Sequence, residues 1–165
     1  MRCCVLLLLL VSLPSLAARK AAREAAREEW NHFQFDITFF CNFEDRRDYD
    51  LKIQWWESDT SSGYDELTKP SVIRPSVGRY SFSMVGAMNG DEILSDGYHP
   101  VAYMSHDCTS DRKRVDFVLD ITTLCVIGQT CHYRIIHDLT NVWGKEKMEA
   151  SNYKAGNLDD FPDFP

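Results

Sequence analysis

Residues 103–108 read Tyr-Met-Ser-His-Asp-Cys, which sets an imidazole, a carboxyl and a thiol side by side at His106, Asp107 and Cys108. Three chemistries use such groups: metal ligation, a cysteine nucleophile with its base, and a disulfide at a strand end. A zinc site asks for three or four ligands at characteristic spacing. On a strand, His106 and Cys108 share one face while Asp107 points away, and no Cys-x-x-Cys or His-x-x-x-His partner accompanies them. His132 and His137 are five apart, which on a strand puts them on opposite faces. A thiol nucleophile needs a free cysteine and a base brought to it from elsewhere in the chain. The compartment decides between these options.

The first residues predict export. Arg2 precedes an apolar stretch from Val5 to Val11 with five consecutive leucines, and Ser15-Leu16-Ala17 supplies the small residues of a cleavage site. The run is much shorter than the roughly 20 apolar residues of a spanning helix, so residues 1–17 read as a secretory signal peptide and the rest as a soluble extracellular protein without a transmembrane segment. Cleavage there leaves 148 residues, enough for one domain with a proper core. It removes only the charge of Arg2, moving the formal balance from −7 to −8. That sign argues against nucleic acid as a partner, because phosphates demand a basic face.

Cys3 and Cys4 leave with the signal, and Cys41, Cys108, Cys125 and Cys131 remain. An even number of thiols entering an oxidising compartment ends as disulfides, which leaves no spare nucleophile. His106 and Asp107 then read as a histidine bonded to a turn and an acid that caps it.

The elements that must bring those sulfurs together are strands. From His32 to Phe43, the residues Phe33, Phe35, Ile37, Phe39 and Cys41 fall on one parity, a half-buried strand with Cys41 inward. In the segment Leu51–Ser58, Leu51, Ile53 and Trp55 oppose Lys52, Gln54 and Trp56. Residues 58–70 have loop composition, and Pro70 and Pro75 keep the following strand short or at a sheet edge. Arg79 to Val85 sets Tyr80, Phe82 and Met84 against Ser81, Ser83 and Val85, and Asn89-Gly90-Asp91 signals a turn. Pro100 introduces the strand that ends at Cys108, with Cys108 in phase with Ala102 and Met104. In the next strand Val115, Phe117, Leu119 and Ile121 face in while Asp116 and Asp120 face out; Cys131 to Leu139 is a last strand with weaker alternation.

One apolar face per strand requires two sheets that bury those faces against each other. The expected fold is all-β: an antiparallel two-sheet β-sandwich of about seven strands, stapled by disulfides. Its domain spans residues 32–140, preceded by a charged helical lead-in at 18–31 and followed by a polar acidic tail, 141–165, with too little apolar content to order. Of the three possible pairings, phase favours Cys41–Cys108, and the short connection turned by Gly128 favours Cys125–Cys131, because crossing the pairs would leave that small loop open. The first closes roughly 67 residues and stabilises by about 4 kcal/mol in the chain-entropy account, the second by about 2 kcal/mol.

The ordered set Cys41-Asn42, LKIQWWESDT with YDEL, VGRYSFSMVG, HPVAYMSHDC and RVDFVLDI resembles the transthyretin-like family of secreted nematode proteins. The resemblance runs from Phe35 to about Ile121 and implies a transthyretin-like sandwich. It departs at Val77-Gly78-Arg79, where the family has Asn-Gly, and after Ile121. It implies a secreted, non-catalytic binding module without a cofactor. Its role would be extracellular bridging or signalling at the cell surface, with an extracellular protein, a lipid headgroup or a small hydrophobic molecule as partner. Trp56 is the candidate contact, because its parity displays it beside Lys52 and Gln54; Tyr64, in the Ser/Asp/Gly loop, is a weaker one. Two alternatives come with the resemblance. Transthyretin-related 5-hydroxyisourate hydrolases close on Tyr-Arg-Gly-Ser, whose nearest look-alike here is Tyr133-Arg134-Ile135-Ile136. A hormone-type carrier of a small hydrophobic ligand assembles through a well-formed final strand.

Overall fold

A computed structural model describes residues 30–58, 63–88 and 97–152. The signal segment, the lead-in up to residue 29, the turn at residues 89–91 and residues 153–165 lie outside the described residues. Ten strands run in chain order: β1 Asn31–Cys41, β2 Leu51–Ser58, β3 Tyr64–Glu66, β4 Ser71–Ile73, β5 Gly78–Met88, β6 Pro100–His106, β7 Val115–Ile121, β8 Cys131–Asp138, β9 Gly144–Met148 and β10 Ser151–Asn152. Among the described residues there is no helix, and so none long and apolar enough to cross a membrane.

The strands form two sheets, one in the order β10-β8-β1-β5 and one in the order β3-β2-β6-β7-β9, with β4 also paired to β2. The period-two pattern is realised as written. Phe33, Phe35, Ile37 and Phe39 of β1, Leu51, Ile53 and Trp55 of β2, and Phe117, Leu119 and Ile121 of β7 are all buried in one core. The sheets meet through aromatic rings: Phe35 of the first lies stacked on Trp55 of the second at 4.1 Å and on Tyr133 of β8 at 5.6 Å. Such pairs add about 0.5–1.5 kcal/mol each beyond the area they bury.

Four expectations are corrected. The sheets are mixed: β1 runs parallel to β8, and β7 parallel to β9. Alternation tells which way a side chain faces and nothing about which strand lies beside it, so direction was not readable. The 58–70 segment contains β3, a three-residue strand that pairs with the end of β2. Residues 144–152 form two further strands in place of a tail, Lys145 pairing with Asp120 at 3.1 Å; these strands lack an apolar stripe because each lies at a sheet edge. Asn31, assigned to the lead-in, opens β1, its side chain held by the Tyr98 hydroxyl at 2.6 Å and the Gly128 amide at 2.5 Å.

Both disulfides form as expected, Cys41–Cys108 across 67 residues and Cys125–Cys131 across six. The first joins the end of β1 to the residues after β6 and so staples one sheet to the other. The side of the core is closed at Gly86. A Cβ there would stand 1.9 Å from the Leu67 carbonyl oxygen, so the residues that follow β3 can pass over β5 only because this position lacks a side chain.

Candidate functional site

The His-Asp-Cys end of β6 is structural. Cys108 is in its disulfide and fully buried. Asp107 accepts a hydrogen bond from the Asp50 amide at 2.7 Å and pairs with Arg46 at 3.0 Å, while Arg46 also donates to the Asp107 carbonyl at 2.5 Å. The acid thus ties down the connection between β1 and β2. His106 is completely buried, and its Nδ1 accepts from the Cys108 amide at 3.3 Å. Burial pushes its pKa down to about 4, against the smaller opposing pull of Asp107. His137, stacked on Phe117 at 5.3 Å, is also held below the usual histidine range by burial, partly offset by Glu146. Among the described residues no cluster of three or more His, Cys, Asp or Glu is placed to hold a metal.

The outer face of the other sheet carries a pair that the sequence did not announce. His132 of β8 is buried with Nε2 2.5 Å from Oδ2 of Asp36 on β1, and Ser83 donates to the same carboxylate at 2.7 Å. The residue types are those of a Ser-His-Asp triad, but the connectivity is different. The hydroxyl is bonded to the acid, and a nucleophile needs to be bonded to the base. The bonds tie β5, β1 and β8 together and border a shallow cleft of about 460 Å³ with Arg79 and Arg134. Each of the three residues has outward parity; only the pairing of β1 with strands distant in sequence makes them neighbours.

The second cleft, about 640 Å³, lies on the outer face of the six-stranded sheet. Both sequence-predicted contact residues line it: Trp56, partly exposed on β2, and Tyr64, half exposed on β3. Tyr103 of β6 joins them, its ring edge-on to Tyr64 at 5.3 Å. Its hydroxyl is pushed up to about 12, by burial first and then by hydrogen bonding with Tyr64, with a smaller contribution from Asp120. Sequence reasoning missed Tyr103, although a signal existed: it has opposite parity to the inward Ala102 and Met104, as Trp56 has to Trp55.

The register turns this face into a grid. One row across the strands reads Trp56, Val101, Asp120; the next Gln54, Tyr103, Val118; the third Lys52, Ser105, Asp116. Glu66 lies opposite Trp56 on β3 and is paired with Lys69 at 2.9 Å, while Asp120 is paired with Lys145. Glu66 and Asp120 thus each have a lysine partner, while Lys52 and Asp116 remain charged in the third row and the centre is aromatic and hydrogen-bonding. The groove presents ring surface and hydrogen-bonding groups to solvent. In comparison with known proteins, the chain matches no family model and no curated relative.

Proposed function

We propose that this protein is a secreted, non-catalytic binding module with a transthyretin-like β-sandwich, which recognises its partner on the outer face of the six-stranded sheet. The observation that carries the reading is that Trp56 and Tyr64, singled out from parity and composition, line one groove together with Tyr103. Two buried disulfides support an extracellular setting. The ordered motifs from Cys41-Asn42 to RVDFVLDI support the family reading and, with it, a bridging or signalling role at cell surfaces. A carrier of a small hydrophobic ligand is the second reading, favoured by the aromatic lining and the size of the same groove.

The test is binding of the purified, fluorescently labelled chain to intact animal cells and to phospholipid vesicles. Trp56→Ala and Tyr64→Ala should each reduce surface binding severalfold without changing the melting temperature by more than a few degrees. Equal binding by wild type and both variants would reject the groove as the recognition face. Turnover of 5-hydroxyisourate would reject the non-catalytic assignment.

A further inference from the structure

From the lining of this groove we infer that its ligand is a neutral, polyhydroxylated chain, an oligosaccharide, laid across β2, β6 and β7; the inference rests on the groove being the recognition face. Three features select this chemistry. The first is the aromatic row end. Trp56, Tyr64 and Tyr103 offer ring surface on a rigid sheet, and the C–H faces of a pyranose ring pack on such surface while its hydroxyls stay at the edges.

The second is the polar row. Lys52, Ser105 and Asp116 stand on neighbouring strands in direct register, so a donor, a hydroxyl and an acceptor follow one another at about 4.8 Å spacing. Lys52 and Asp116 lie two strand spacings, about 10 Å, apart at the backbone, with Ser105 between them. Gln54, next to Tyr103 in the middle row, donates one amide N–H to the Thr68 carbonyl at 3.1 Å and keeps its second N–H and its oxygen for a ligand. Hydroxyl groups, which both donate and accept, can satisfy all four residues along one ligand. An aliphatic ligand covering that row would strip them of water without return.

The third is charge. One cation and one anion flank the groove centre, and the acids nearest the aromatic end, Glu66 and Asp120, are each paired with a lysine. An anionic ligand meets Asp116 and a cationic one meets Lys52, so the balance favours a ligand without net charge.

The experiment titrates the intact, disulfide-bonded chain with neutral hexose oligomers and N-acetylhexosamine oligomers, read by calorimetry and tryptophan fluorescence. A sulfated oligosaccharide and a long-chain fatty acid are the contrasting probes. At least one neutral oligomer should bind, about tenfold more weakly to Trp56→Ala and Tyr103→Ala and several-fold more weakly to Lys52→Ala and Asp116→Ala. Val85→Ala, which trims an exposed side chain on β5 of the other sheet, should bind as wild type. Melting curves identify any variant that fails to fold, and Trp56→Phe, which keeps a ring, should retain most of the affinity. The inference is overturned if no neutral oligomer binds, if binding survives Trp56→Ala, or if the fatty acid or sulfated probe alone binds in a Trp56-dependent way. Cell binding that needs Trp56 but withstands enzymatic removal of surface glycans also overturns it, leaving the groove as the recognition face. Cell binding indifferent to Trp56 rejects the groove itself.

Discussion

Strand β6 has two faces that do different work. Inward, Ala102, Met104 and His106 are buried and lead to Cys108 in its disulfide. Outward, Tyr103 and Ser105 line a solvent-open groove. Residues adjacent in sequence are therefore separated by the thickness of the sheet. The face that contains the reactive residue types is the inert one, because burial and pairing silence a thiol and an imidazole that would be chemically active in water. The groove keeps its rings and hydrogen-bonding groups available. Reactivity by residue type and availability by position point in opposite directions along this one strand.

If that contrast is right, changes on the inner face should be read as stability and those on the outer face as binding. The largest effect is expected for Cys41→Ala combined with Cys108→Ala, which opens a 67-residue loop and should lower unfolding free energy by about 4 kcal/mol in urea titrations at fixed pH. A loss below about 1 kcal/mol would mean that the packed rings hold the two sheets together without the staple.

Next is the acid response of His106. Its pKa in the folded chain is about 4, below the value near 6.5 that it has when unfolded. Between those two pH values the unfolded chain takes up a proton that the folded chain refuses, so stability falls as pH drops from about 6.5 to about 4, by up to about 3 kcal/mol. Asp107 and Asp116 pull the other way and are outweighed by burial, which His137 reinforces. His106→Leu should flatten the stability profile over that window; an unchanged slope would assign it to His137 or to other groups.

Opening the shorter bridge with Cys125→Ser and Cys131→Ser should lower stability by about 2 kcal/mol, again by urea titration, because far less chain entropy is constrained. Smallest in stability is Trp56→Ala, which should move unfolding free energy by no more than about 1 kcal/mol, its effect appearing in binding instead. A loss of several kcal/mol at Trp56 would place it in the core and erase the distinction between the faces.

Facing was legible in the sequence. Period two in β1, β2 and β7 separated buried from exposed side chains, and the same phase brought Cys41 to Cys108. It displayed Trp56 outward while Trp55 went in. The short edge strands were illegible for a physical reason: β9, with the sequence Gly-Lys-Glu-Lys-Met, buries little apolar surface and is held by ladder hydrogen bonds to β7, which any sequence without proline can make. Of the groove cluster, Trp56 and Tyr64 were read one by one, Tyr103 was missed, and the grouping was not legible at all.

By itself, then, the sequence determined which side of each strand is apolar and which thiols are in phase, since these follow from the alternation of Cβ directions along an extended backbone. Partnership was decided by the tertiary structure. That β1 lies between β5 and β8, that Asp36 reaches His132, and that Tyr64 meets Tyr103 all depend on strands brought together over long sequence separations. Those choices are made by the joint packing of both sheets around Phe35, Trp55 and Tyr133, an interaction that no single segment encodes.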